Sequence, residues 1–202
     1  MEFSFGIAAA FFSAQASAAD LAPLNDEQLQ AFVRMQALSD RCQKKLPGLK
    51  PQLLDARGKW LAVAYAAQLQ AAEVYAKSKD GKRLAKDTDT SAFKAFDRNV
   101  LSAAATCIAL LKDYDVAYPS PVATAVPADK VQWHLDNFAP MVLAALKCSR
   151  LDAIDVAPTP NGEETWTYRG CGRTELVRVA PAGEAWPMDG ATADRLFAAM
   201  VD

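Results

Sequence analysis

Thr165-Trp-Thr-Tyr-Arg-Gly-Cys-Gly-Arg-Thr-Glu-Leu-Val-Arg-Val-Ala180 is the stretch on which the fold turns. Its first half alternates strictly. Thr165, Thr167 and Arg169 project to one side, while Trp166 and Tyr168 project to the other, which is the period of a strand rather than of a helix. A Gly172-Arg173 turn leads into Thr174–Ala180, again rich in β-branched residues. Upstream, Pro158-Thr-Pro-Asn-Gly162 separates this pair from a third short segment near Cys148–Val156. Three short segments divided by turn signals predict a three-stranded antiparallel meander. A short helix over Ala191–Met200 follows, and the aromatic face of the sheet is its expected packing surface.

Everything before Cys148 reads as helix. Asn25-Asp-Glu-Gln28 is an N-cap with Gln three residues later, opening a helix whose stripe is Phe32, Met35, Leu38, Cys42 and Leu46. Pro47-Gly48 ends it. A second helix is expected from Pro51 to Ser78, followed by a polar loop over Lys79–Asp89. A third begins with Thr90 or Ser91 as cap and carries the heptad-like seam Phe93, Phe96, Val100, Ala103, Cys107, Leu110 and Tyr114. Tyr118-Pro-Ser-Pro121 and Pro127 mark a linker. Helical pattern resumes over Asp129–Phe138, is interrupted at Pro140 and continues to Lys147. The expected fold is therefore α+β: an alanine-rich helical region over residues 19–117, then a helix and meander region over 128–202, the two forming one globule.

Composition bounds the class. Alanine supplies 41 of the 202 residues, and Leu, Ile, Val and Phe together only 45, so the core is thin for its length. A net charge of −2 without basic excess disfavours nucleic acid as a partner. The apolar run Phe5–Phe12, followed by Ala16-Ser17-Ala18, has the form of a secretory signal over residues 1–18, although its first residues lack Lys and Arg. The run is too short to cross a bilayer, so no transmembrane segment is expected once the signal is removed. Export to an oxidising compartment, the bacterial periplasm or beyond, agrees with four cysteines that form no CxxC. Three connectivities are open to them. Cys42–Cys107 and Cys148–Cys171 are expected because each pair falls within one kind of structure; four buried free thiols are the alternative.

Ala145-Leu-Lys-Cys148 followed by Thr165-Trp-Thr-Tyr-Arg-Gly-Cys-Gly172 resembles the short Cys…Gly-Cys-Gly hairpin unit of uncharacterised bacterial envelope proteins. The resemblance covers about 35 residues. It implies export and a Cys148–Cys171 bridge, and no activity. Such units often carry a further Cys on the next strand, where this chain has Leu176, Val177 and Val179.

Motifs that would carry chemistry are sparse. His134 is the only histidine and has no Cys, Asp or Glu at metal-ligand spacing, which makes it a packing residue before a base or ligand. Ser91-Ala-Phe-Lys94 matches the S-x-x-K of penicillin-binding enzymes without their partner motifs, so Ser91 reads as a helix cap. Gly170-Cys-Gly172 is a strand-end bend rather than a dinucleotide loop. Asp87-Thr-Asp-Thr-Ser91 lacks the glycine and glutamate of a calcium loop, holding Ala92 and Arg98 at those positions. Lys77, Lys79, Lys82, Arg83 and Lys86 form one basic cluster, read as a solvated surface. No cofactor or metal is implied.

Thr167, Arg169, Arg173 and Arg178, around the last two strands, form a candidate partner face, arginine being favoured at interfaces. The leading expectation is an exported, disulfide-stabilised interaction factor that binds another envelope protein, of inhibitor or immunity type. The alternatives are a secreted hydrolase with a dispersed active site and a carrier of a small apolar ligand.

Overall fold

The computed structural model describes residues 23–93, 99–179 and 190–202. The expected signal over 1–18 lies outside them. Among the described residues, seven helices (α1 Asp26–Lys45, α2 Lys50–Ala64, α3 Leu69–Lys77, α4 Lys79–Phe93, α5 Val100–Asp113, α6 Ala128–Leu146, α7 Gly190–Val201) accompany one sheet of β1 Ala153–Pro158, β2 Glu164–Gly170 and β3 Arg173–Val179. The sheet is antiparallel in the order β1-β2-β3, so the fold is α+β as the hairpin stretch predicts.

α1 opens on the expected capping box. Gln28 N–H donates to the Asn25 side chain at 2.8 Å, and Asn25 N–H donates to the Gln28 side chain at 3.0 Å. Past its end, Pro47–Leu49 makes a single 3-10 turn. Gly48 there lies so close to α7 that a Cβ would stand 2.0 Å from the Ala199 carbonyl oxygen. The single helix expected over 51–78 is two. Tyr65 leaves the helix, packs against Phe32 and Trp60, and donates its hydroxyl to the Gln28 carbonyl at 2.7 Å. That anchor turns α3 back onto α1 and α4.

The polar loop expected at 79–89 is instead α4. Its inward stripe is narrow, comprising buried Gly81 and half-buried Leu84, Ala85 and Thr88 at helical spacing. Gly81 lets α4 approach the Tyr75–Ala76 backbone, where a Cβ would meet Tyr75 O at 2.2 Å. Ser78 accepts from Gly81 N–H, capping the helix. Thr90 and Ser91 consequently lie inside α4 and do not cap α5, whose cap is Asn99 accepting from Leu101 N–H at 2.9 Å. Of the expected seam, Ala103, Cys107, Leu110 and Tyr114 are buried, but Val100 is 42% exposed, Phe93 ends α4, and Phe96 lies outside the described residues.

α6 runs unbroken through Pro140. A proline costs a helix its bond to the carbonyl four residues back, but Pro140 is fully packed and its own carbonyl accepts from Gln52 Nε2 at 2.8 Å. α6 also covers the sheet's aromatic face: His134, packed on Phe138 of the same helix, meets Trp166 and Tyr168. The last helix was expected there. α7 packs instead mainly on α6 and the 3-10 turn, and reaches the sheet by an Arg195–Glu175 ion pair.

The main core draws on both halves of the chain, from Cys42 and Leu53 to Trp166 and Val179. Two disulfides tie it. Cys42–Cys107 links α1 to α5 with Cα atoms 5.6 Å apart, and Cys148–Cys171 links the exit of α6 to the β2–β3 turn with Cα atoms 5.9 Å apart. Neither Cys148 nor Cys171 is within a strand; each sits just beyond an element's end.

Candidate functional site

Three helices that are distant in sequence leave an apolar cleft between them. α5 contributes Leu101, Ala104, Ala105 and Ile108, α6 contributes Trp133, Phe138 and Met141, and α7 contributes Ala193, Phe197 and Met200. The cleft encloses about 480 Å³, within the ~300–1,000 Å³ typical of small-molecule sites. Leu101 is 62% exposed and Trp133 48%, an arrangement that leaves large apolar groups in water. Polar groups are few. The Asn137 amide is already used, donating to the Trp133 carbonyl at 2.7 Å, and Asp194 is the charged residue of the lining. Such walls offer dispersion and desolvation to an uncharged guest and little to a charged one.

Phe138, which lines the cleft, also belongs to a buried aromatic cluster with His134. His134 is 2% exposed and lies between Phe138 and Trp166, with ring centroids 4.7 and 4.6 Å away. Its Nε2 shares a 2.9 Å hydrogen bond with the Tyr168 hydroxyl, and its Nδ1 has no hydrogen-bond partner among the described residues. Burial pulls its pKa down from 6.5 to about 4, so the ring is neutral at pH 7. Burial likewise raises the Tyr168 phenol. A catalytic triad requires a carboxylate on the second ring nitrogen, and among the described residues His134 has none. It is a packing residue.

Glu164 is a buried polar group that no sequence motif singles out. Its carboxylate accepts from Thr124 Oγ1 at 2.6 Å, from Ala125 N–H at 2.6 Å and from Trp166 Nε1 at 2.7 Å. Burial pushes its pKa up, and these three hydrogen bonds outweigh burial, holding it below the ordinary value. It clamps the linker before α6 onto β2, and thereby positions the aromatic cluster.

The structure divides the expected partner face. Thr167, Arg169 and Arg178 do share the outer side of the sheet, together with Asp155, Thr165, Thr174 and Leu176. Arg169 is already paired there with Asp155 at 2.7 Å, both groups more than half exposed. Arg173 belongs to the opposite side. It lies across from Gly170, and its guanidinium donates to the Leu146 carbonyl at 3.1 Å, closing the C-terminal end of α6. The turn itself is Cys171-Gly172, with φ values of +52° and +70°, one residue earlier than expected.

The remaining motifs resolve into structure. Ser91 donates to the Thr88 carbonyl within α4; Lys94 lies outside the described residues. Asp87 and Asp89 sit on the same helix, Asp89 facing Arg41 at 3.8 Å, and no group of three His, Cys, Asp or Glu side chains suited to a metal occurs among the described residues. The basic cluster spans the end of α3 and the first turns of α4, where Arg83 pairs with Asp80. What sequence reasoning missed is the cleft. Its one legible signal is apolar residues placed off the buried stripes of their helices, Leu101 and Trp133 above all. Comparison of the chain with family models, with curated proteins and with solved structures finds no match in any of the three.

Proposed function

We propose that the protein is an extracytoplasmic binding protein whose working site is the α5–α6–α7 cleft, which takes an uncharged, apolar small molecule. The concave apolar lining of about 480 Å³, with one charged residue among its described members, carries the reading. The two disulfides fit an oxidising compartment, and among the described residues no helix is long and apolar enough to cross a membrane. The likeness of the Cys148–Gly172 segment to an envelope hairpin unit supports the same compartment.

Titration with N-phenyl-1-naphthylamine, an uncharged fluorescent probe, tests it. Saturable binding at or below about 0.1 mM is expected from ordinary ligand efficiencies. Leu101→Asp, at an exposed position that bears no folding load, should weaken it at least tenfold. Binding that is absent, or indifferent to Leu101→Asp, overturns the reading.

A second reading is an inhibitor or immunity-type factor that docks an envelope protein on the outer sheet face. It is favoured by Leu176, 57% exposed beside Arg178 and across from Thr167. The internal pairing of Arg169 and the inward turn of Arg173 weaken it, because only part of the expected charge faces outward.

A further inference from the structure

The two edges of the sheet are finished differently. β1 is closed: Val122 of the linker bridges to Asp155 in parallel, and the strand ends on Pro158, which has no N–H to offer. β3 is not closed. Because Cys171-Gly172 is a two-residue turn, Gly170 and Arg173 are the hydrogen-bonded closing pair, and bonding to β2 then recurs at Glu175, Val177 and Val179. The N–H and C=O groups of Thr174, Leu176 and Arg178 therefore point away from the sheet. Among the described residues no hydrogen bond reaches any of these six groups. The β3 register is continuous over seven residues, without proline or bulge, and its inward charges are already engaged, Arg173 by the Leu146 carbonyl and Glu175 by Arg195. At its centre stands Leu176, exposed on the uncovered face.

We propose that β3 pairs antiparallel with β3 of a second copy of this chain, joining two sheets into one of six strands about a two-fold axis at Leu176. Register selects this occupant. Centred on Leu176, the pairing uses all seven residues, from Arg173 to Val179, and forms six backbone hydrogen bonds from the six open groups. It sets Leu176 against its own copy, and Arg178 against Thr174 of the second copy. On the inner side, Glu175 falls opposite Val177 and Arg173 opposite Val179, so no like charges are juxtaposed. The neighbouring symmetric registers fare worse. Centring on Glu175 opposes two carboxylates, centring on Arg178 opposes two guanidiniums, and centring on Val177 shortens the ladder to five residues. An exposed leucine between open backbone groups is what a self-pairing edge needs and what a solvated edge avoids.

Sedimentation velocity on the disulfide-intact chain, from about 1 μM to about 1 mM, should show concentration-dependent dimers. Leu176→Lys, which opposes two ammonium groups, should weaken association at least tenfold while leaving the circular dichroism spectrum unchanged. Leu176→Cys supplies an independent readout. Hydrogen-bonded antiparallel partners have Cα atoms ~5.5 Å apart, within disulfide range, so this variant should oxidise to a 176–176 linked dimer mapped by peptide mass spectrometry. Val63→Cys, on the exposed side of α2, should not cross-link comparably. A monomer at every concentration overturns the proposal, as does a dimer insensitive to Leu176→Lys or cross-linking no greater at 176 than at 63.

Discussion

Acidification should loosen the contact between α6 and the sheet, and His134 sets the size of the effect. In the folded chain its pKa lies near 4, against 6.5 for an ordinary histidine, because the ring is sealed between Phe138, Trp166 and Tyr168. The folded state thus favours the neutral ring. Between pH 4 and 6.5 the unfolded chain binds the extra proton and the folded chain resists it, so stability rises with pH across that window. The contribution is complete above about pH 6.5 and is lost progressively as pH falls to about 4. At 1.36 kcal/mol per pKa unit the gap corresponds to about 3 kcal/mol, a sizeable part of the ~5–15 kcal/mol that stabilises a domain. Urea unfolding at half-unit steps from pH 3.5 to 7.5, for the native chain and for His134→Gln, isolates this group, since the other titrating residues cancel in the difference. The native curve should fall relative to the variant by about 3 kcal/mol over the window. A flat difference, or an NMR titration midpoint for His134 near 6.5, would show that burial does not depress the ring's pKa.

Other perturbations separate the parts of the structure. Replacing Cys42 and Cys107 by alanine should cost about 4 kcal/mol, and replacing Cys148 and Cys171 about 3, following loop separations of 65 and 23 residues; denaturant midpoints of the two double variants check the order. Gly48→Ala should be strongly destabilising because its Cβ meets the Ala199 backbone, whereas Gly58→Ala, on an open helix surface, should raise stability by about 0.5–1 kcal/mol. Thermal melts of the pair decide the sign of each. Glu164→Gln, which gives up a carboxylate holding three hydrogen bonds, should cost about 2–4 kcal/mol at pH 7 by urea unfolding, and the loss should shrink as pH falls through the depressed pKa of Glu164.

The hairpin was legible because a strand's period is local. Trp166 and Tyr168 alternate with threonines, and the glycine at 172 marks the turn even where the turn's exact position slips by a residue. The capping box at Asn25 was legible for the same reason. The misreadings share a cause: they depend on what packs against the segment. α4 carries only a narrow stripe of small residues, so its polar composition resembles a loop until Gly81 is seen against Tyr75 and Ala76. Pro140 looks like a break until its surroundings are known to hold the helix together. Tyr65 breaks a uniformly alanine-rich segment only because Gln28, 37 residues earlier, accepts its hydroxyl. Arg173 has the composition of an interface residue, yet a carbonyl at the end of α6 claims it. The cleft was least legible, since its walls come from α5, α6 and α7 and no single segment contains it.

The proposed entry of an apolar guest into that cleft can be followed through the methionines. Met141 and Met200 line it, while Met35 packs elsewhere, against the main core from α1. Methyl-¹³C-methionine NMR during titration with N-phenyl-1-naphthylamine should shift the Met141 and Met200 resonances together and saturably, leaving Met35 in place. Shifts confined to Met35, or no shift at Met141 and Met200 at millimolar probe, would contradict it.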